Sequence, residues 1–162
     1  MATYSISTRD HGSGPQLRVT SFGFGHGPAP DADIVLDLRP WFRDPHVSPR
    51  LRELTSRDPE VIATVLSTPG IGGFINQVFG AAGELVLLGL GTVNLAAGCV
   101  GGRHRSAVVS DQLYFRALSA GWTTEVHHRD AGKPVLSGRR PSPVDRAPVR
   151  VPVTAAVRAG RR

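Results

Sequence analysis

TVNLAAGCVGGRHRSAVVSDQLYFRALSAG, residues 92–121, is the stretch that decides the fold. It opens with a short apolar strand, Thr92-Val93-Asn94-Leu95-Ala96-Ala97, which runs straight into the loop Gly98-Cys99-Val100-Gly101-Gly102-Arg103-His104-Arg105-Ser106. Val109, Leu113 and Ala117 then recur at fourfold spacing, the period of one helix face. Gly121 stands where such a helix stops in the C′ position, and Trp122 is placed to pack back on it. Strand, glycine-rich turn, helix is an arrangement in which successive backbone N–H groups converge at the positive end of the helix dipole, which favours an anion. We expect this loop to cradle a phosphate group.

Upstream, Leu17-Arg18-Val19-Thr20-Ser21-Phe22 alternates apolar and polar residues, the period of a half-buried strand. A Gly/Pro-rich turn from Gly23 to Pro30 follows. Asp33-Ile34-Val35-Leu36-Asp37-Leu38 reads as a second strand, apolar at its centre as a covered sheet requires. Pro40, Pro45 and Pro49 make the next stretch an irregular loop carrying Arg39, Trp41, Arg43, Asp44 and His46. Asp58-Pro59-Glu60 marks a helix start, with an N-cap acid and proline at the first helical position. Val61, Val65 and Leu66 supply its apolar side, and Pro69-Gly70 stops it. A further helix begins at Ile71 or Phe74 and runs to about Leu88, and Thr123-Thr124-Glu125-Val126-His127 is a last strand. Strands alternate with helices, so the fold class is α/β: a single domain with a mainly parallel sheet flanked by helices.

The chemistry of the loop follows from its residue types. Gly101 and Gly102 let the backbone approach a ligand with no Cβ in the way. Arg105 can fork two hydrogen bonds onto phosphate oxygens, Arg103 and His104 add donors, and Ser106 can cap the helix or donate to the ligand. A Walker A loop is absent, because no lysine occurs before Lys133. Cys99, five residues, Arg105 and Ser106 also fit the C-x5-R-S/T loop of cysteine-dependent phosphatases, in which a thiolate attacks phosphorus. That leaves Cys99 as a nucleophile or as a buried inert thiol. Gly98 replaces the histidine common before that cysteine, and no loop evidently places an acid for the leaving group.

Charge is unevenly spread. The chain of 162 residues carries a net +6. Residues 131–162 hold eight Lys/Arg and five prolines against Asp145 alone, so the body is close to neutral. Such a tail buries too little apolar surface to offset its ordering entropy, and we expect a disordered extension. Lys/Arg arrays also displace counterions from nucleic-acid phosphates, although no aromatic residues are interleaved there for base stacking. Residues 1–15 read as a flexible leader with no secretory pattern. No consecutive apolar run nears the roughly 20 residues of a membrane span. Cys99 is the single cysteine, which excludes an internal disulfide and suits a reducing cytoplasm.

At the glycine loop the sequence resembles the RNase adapter protein RapZ family, specifically its C-terminal domain. The family's G-C-T-G-G-x-H-R-S stretch stands here as Gly98 to Ser106, with Val100 in place of threonine. Ser21-Phe22-Gly23-Phe24, Gly27-Pro28, Asp31-Ala32-Asp33 and Val35-Leu36-Asp37-Leu38-Arg39 look like its S-F-G-F…G-x-P…D-A-D…D-x-R segment. Asp44-Pro45-His46, Leu51-Arg52 and Leu54-Thr55 match N-P-H…L-R-x-L-T, and His128-Arg129-Asp130 stands near its closing H-R-D/T. The likeness spans roughly Leu17 to Asp130. It implies a domain that binds a phosphorylated metabolite, glucosamine-6-phosphate in the studied branch, and that contacts RNA or protein partners. It also implies that His46, Val100, Gly101, His104 and Arg105 line the ligand pocket. The family's N-terminal nucleotide-binding domain has no counterpart in these residues, so a stand-alone domain is expected, and Val100 removes a hydroxyl donor.

These readings combine into a division at 1–15, 16–130 and 131–162, with a regulatory binding module in the middle. The ligand is a phosphosugar or a nucleotide, held by His46, Cys99, Val100, Gly101, Gly102, Arg103, His104, Arg105 and Ser106. Arg39 is secondary, either at the binding crevice or paired with Asp37 or Asp44. An adapter role toward RNA or protein, and self-association, are further options; a cysteine-based phosphatase is the alternative. His127-His128 lacks partners at metal-ligand spacing, so neither metal nor cofactor is expected. Asp33 and Asp37 read as structural acids.

Overall fold

The computed structural model describes residues 14–42 and 49–136. The strands are β1 (Leu17–Gly23), β2 (Ile34–Asp37), β3 (Val93–Cys99) and β4 (Thr124–His128), and the helices are α1 (Pro59–Leu66), α2 (Ile71–Leu88) and α3 (Arg105–Ser119). Short 3-10 turns cover Phe24–His26 and Pro49–Leu51. Arg43, Asp44 and His46, and the basic tail from residue 137, lie outside the described residues.

All four strands are parallel, in the order β2-β3-β1-β4. Alternation along each strand sends Leu17, Val19, Leu36, Leu95 and Ala97 into one core with Val61 and Val65 of α1, Ile75 and Ala82 of α2, and Leu113 and Ala117 of α3. The opposite face aligns Val35, Ala96, Thr20 and His127 across the sheet. Val35 is 45% exposed there, and Arg18 pairs with Glu125 across β1 and β4 at 3.1 Å. The apolar centre of β2 is thus covered by helices on one side only.

Local signals account for the element ends. Gly121 has φ +80, the Trp122 amide donates to the Ala117 carbonyl, and the indole stacks on Phe79 at 4.9 Å. Asp58 does occupy the N-cap of α1, yet its carboxylate turns back to accept from the Thr55 amide at 2.7 Å instead of capping the helix. α2 is long and apolar enough, by length and composition, to cross a membrane. Here one stripe of it, Ile71, Ile75, Val78, Ala82 and Val86, is buried in the core. No consecutive apolar run marks it in the sequence, because Asn76, Gln77 and Glu84 interrupt the stretch.

Candidate functional site

β1 and β3 lie side by side, and the chain leaves them in opposite directions: from β1 toward β2 at one edge, from β3 through α3 toward β4 at the other. A crevice opens at the carboxyl ends of strands where connections diverge in this way. Gly23 and Cys99 are register partners at that point, so the turn after β3 sits against the end of β1. The Gly25 amide donates to the Val100 carbonyl at 2.9 Å. A Cβ on Gly23 would stand 2.6 Å from the Gly101 carbonyl carbon. Gly102 has φ +77, and a Cβ there would lie 2.8 Å from the Gly23 nitrogen and 2.9 Å from the Asp130 Cβ. Two backbones meet here with no room for side chains between them.

The three basic residues of the loop grip the surrounding main chain. Arg103 donates to the carbonyls of Lys133 and Glu53, each at 3.0 Å. His104 Nε2 donates to the Leu54 carbonyl at 2.8 Å, and the Ser56 amide returns a bond to the Arg103 carbonyl. Arg105 is 3% exposed, and its guanidinium donates to the Phe42 carbonyl at 2.7 Å. Sequence reasoning aimed Arg105 at the ligand; its observed reach is to the segment that leads into residues 43–48, where His46 belongs.

The backbone is oriented differently. No side chain caps α3, and among the described residues no acceptor takes the amides of Gly101, Arg103 or Ser106. These donors stand at the positive end of a fifteen-residue helix. Cys99 is buried, and its Sγ accepts from the Gly102 amide at 3.2 Å and lies 3.2 Å from the Ser106 hydroxyl. Ser106 is itself fully buried, so its hydroxyl serves the thiol. Val100 is 38% exposed at the rim. The turn is therefore a backbone cradle braced from below by its own side chains.

Behind it sits Asp130, fully buried. Its Oδ2 accepts from the Gly23 amide at 2.7 Å and from Arg129 at 2.7 and 2.9 Å, and its Oδ1 lies 2.7 Å from the Lys133 ammonium. Burial works to raise this carboxyl's pKa, but the hydrogen bonds from Arg129, Lys133 and Gly23 outweigh it and hold the pKa far below the ordinary range. Asp37 behaves alike: burial raises it, while Arg39 bonds and the Arg39 and Arg105 charges lower it. Arg39 forks onto Asp37 at 2.9 and 2.6 Å and stacks over the Phe24 ring at 3.6 Å. A carboxylate whose folded pKa lies below its unfolded value of about 3.9 stabilises the fold above that value and loses the effect as pH falls through the folded one. The melting temperature should hold above about pH 5 and drop steadily below pH 4. Asp130→Asn should flatten that drop in melts taken from pH 7 to 2.

A second constellation escaped the sequence reading. Ser21 Oγ lies 2.8 Å from His128 Nδ1, and His128 Nε2 lies 3.0 Å from Asp111 Oδ1. If Nε2–H donates to Asp111, the neutral imidazole has Nδ1 left to accept from the Ser21 hydroxyl. The residue types are those of a hydrolytic triad, but Ser21 is fully buried, which leaves it no access to a substrate. Nothing local marks this set, because Ser21 and His128 meet only through the register of β1 with β4.

A nucleotide-binding protein of Streptomyces coelicolor is 39% identical over 126 residues, 74% of this chain and 42% of its own length. Nucleotide-binding proteins of Frankia casuarinae and Solibacter usitatus are 40% and 36% identical over 71% and 72% of the chain, and 41% and 38% of their own lengths. The chain thus spans about two fifths of the length of these curated relatives. The family model described as the RapZ C-terminal domain matches residues 15–132, which takes in every strand and helix described above. The chain belongs to the RapZ C-terminal domain family.

Proposed function

We propose that this domain is a regulatory binding module whose turn between β3 and α3 takes the phosphate of a small molecule, a phosphosugar such as glucosamine-6-phosphate or a nucleotide. One observation carries the reading: the partly exposed residues Gly101 and Arg103 have amides with no acceptor among the described residues, just ahead of the N-terminus of α3 and at the switch point of a parallel sheet. Arg103 and Arg105 supply positive charge around that point while their donors hold the neighbouring loops. The buried Cys99 thiol favours binding over a cysteine-based phosphatase, since a nucleophile must reach its substrate. We take residues 16–130 as the binding domain, in the cytoplasm. An adapter role toward RNA rests on the charge of the tail.

Gly101 provides the test. Its backbone avoids the left-handed region, and an added Cβ would meet nothing within 4 Å. Gly101→Asp should therefore keep the ligand-free melting temperature while placing a carboxylate where the phosphate sits. Inorganic phosphate and glucosamine-6-phosphate are the probes. A ligand at a hundredfold excess over its Kd stabilises by about 2.7 kcal/mol. That shift should appear in the wild type and vanish in Gly101→Asp. Absence of stabilisation by every probe would remove the proposal.

A further inference from the structure

The Ser21–His128–Asp111 chain ends in a cavity of 370 Å³ that the glycine turn does not line. That volume falls within the roughly 300–1,000 Å³ of small-molecule sites. Ile62 of α1 and Val108 and Phe115 of α3 supply an apolar wall, and Arg57, Asp111 and His128 supply the polar groups. Val108, Asp111 and Phe115 share one face of α3 because they are three, four and seven positions apart.

Each group has something left to offer. Phe115 is 56% exposed, a large ring left uncovered beside a cavity. Arg57 is exposed, and among the described residues its guanidinium enters no ion pair. Asp111 gives Oδ1 to His128, and its Oδ2 accepts from no described residue. His128 is held at both ring nitrogens, so the imidazole–carboxylate pair is fixed before any ligand arrives. An open aromatic face takes a flat ring, a free guanidinium takes an anion, and a carboxylate oxygen takes a hydroxyl or amino donor.

We propose that this cavity is a second binding site, for a free mononucleotide: base against Phe115, Ile62 and Val108, phosphate on Arg57, and a sugar hydroxyl or exocyclic amine on Asp111 Oδ2. The site uses none of the residues of the glycine turn, so it stands or falls apart from the proposal made above.

Amide-resolved NMR titration of the full chain with adenosine monophosphate, and separately with inorganic phosphate, tests it. The nucleotide should shift the amides of residues 56–57, 108–115 and 128, whereas inorganic phosphate should shift those of residues 98–106. Phe115→Ala and Arg57→Ala should each weaken the nucleotide response at residues 108–115 by roughly tenfold, the scale of a lost base stack or charge-assisted contact. Both side chains are exposed, so the variants should melt with the wild type and keep its phosphate response. Nucleotide shifts confined to residues 98–106, or an unchanged nucleotide affinity in both variants, would overturn the second site.

Discussion

Asp130→Ala is expected to lower the unfolding free energy by about 3–5 kcal/mol, the cost of removing one partner from a buried charge network. The carboxylate sits where Arg129, Lys133 and the Gly23 amide converge. Removing it leaves the buried Gly23 amide without its acceptor and the partly buried Arg129 guanidinium with no counter-ion, only the Pro28 and Gly23 carbonyls. Against a typical domain stability of 5–15 kcal/mol, such a loss is a large fraction of the whole. Asp130→Asn keeps one acceptor oxygen for the Gly23 amide and loses the charge, so it should fall between alanine and the wild type. Urea unfolding at pH 7 gives the comparison. A loss under about 1 kcal/mol for alanine would mean that the network is no stronger than a surface ion pair.

Gly102→Ala carries the second large effect. A non-glycine residue in the left-handed region costs about 1–2 kcal/mol. Backbone shifts forced by an extra methyl group cost about 1–3 kcal/mol more. Here the methyl would meet the Gly23 nitrogen and the Asp130 Cβ inside 3 Å, and neither is the free end of a flexible side chain. The sum is a loss of roughly 2–5 kcal/mol in unfolding free energy. Gly101→Ala, one residue earlier, meets open space and should stay within about 0.5 kcal/mol of the wild type. A pair of equal losses would show that the two positions are not held as the geometry describes.

Much of the fold was legible because its signals are local. Val109, Leu113 and Ala117 mark α3, and Gly121 stops it with the φ of +80 that its position requires. The α3 periodicity nonetheless understated its burial: Arg105 through Ser110 are all buried, since the first turns are wedged between the sheet and the segments around Phe42 and Leu54. The glycines located the turn, yet the spacing of Arg103, His104 and Arg105 is the same whether those side chains reach a ligand or a carbonyl. Asp130 and the Ser21–His128–Asp111 chain were not legible. They depend on a parallel register between segments 107 residues apart, which no local pattern encodes.

That separation has a consequence for how occupancy relates to folding. The glycine seat is complete only when the end of β1, the turn after β3 and the segment beyond β4 have all come together. Closing so long a loop is entropically unfavourable, and contacts of this reach form late. If the turn takes an anion as proposed, partly assembled chains offer it nothing to hold. Any molecule that settles there reports on the finished architecture and, by mass action, draws the population toward it.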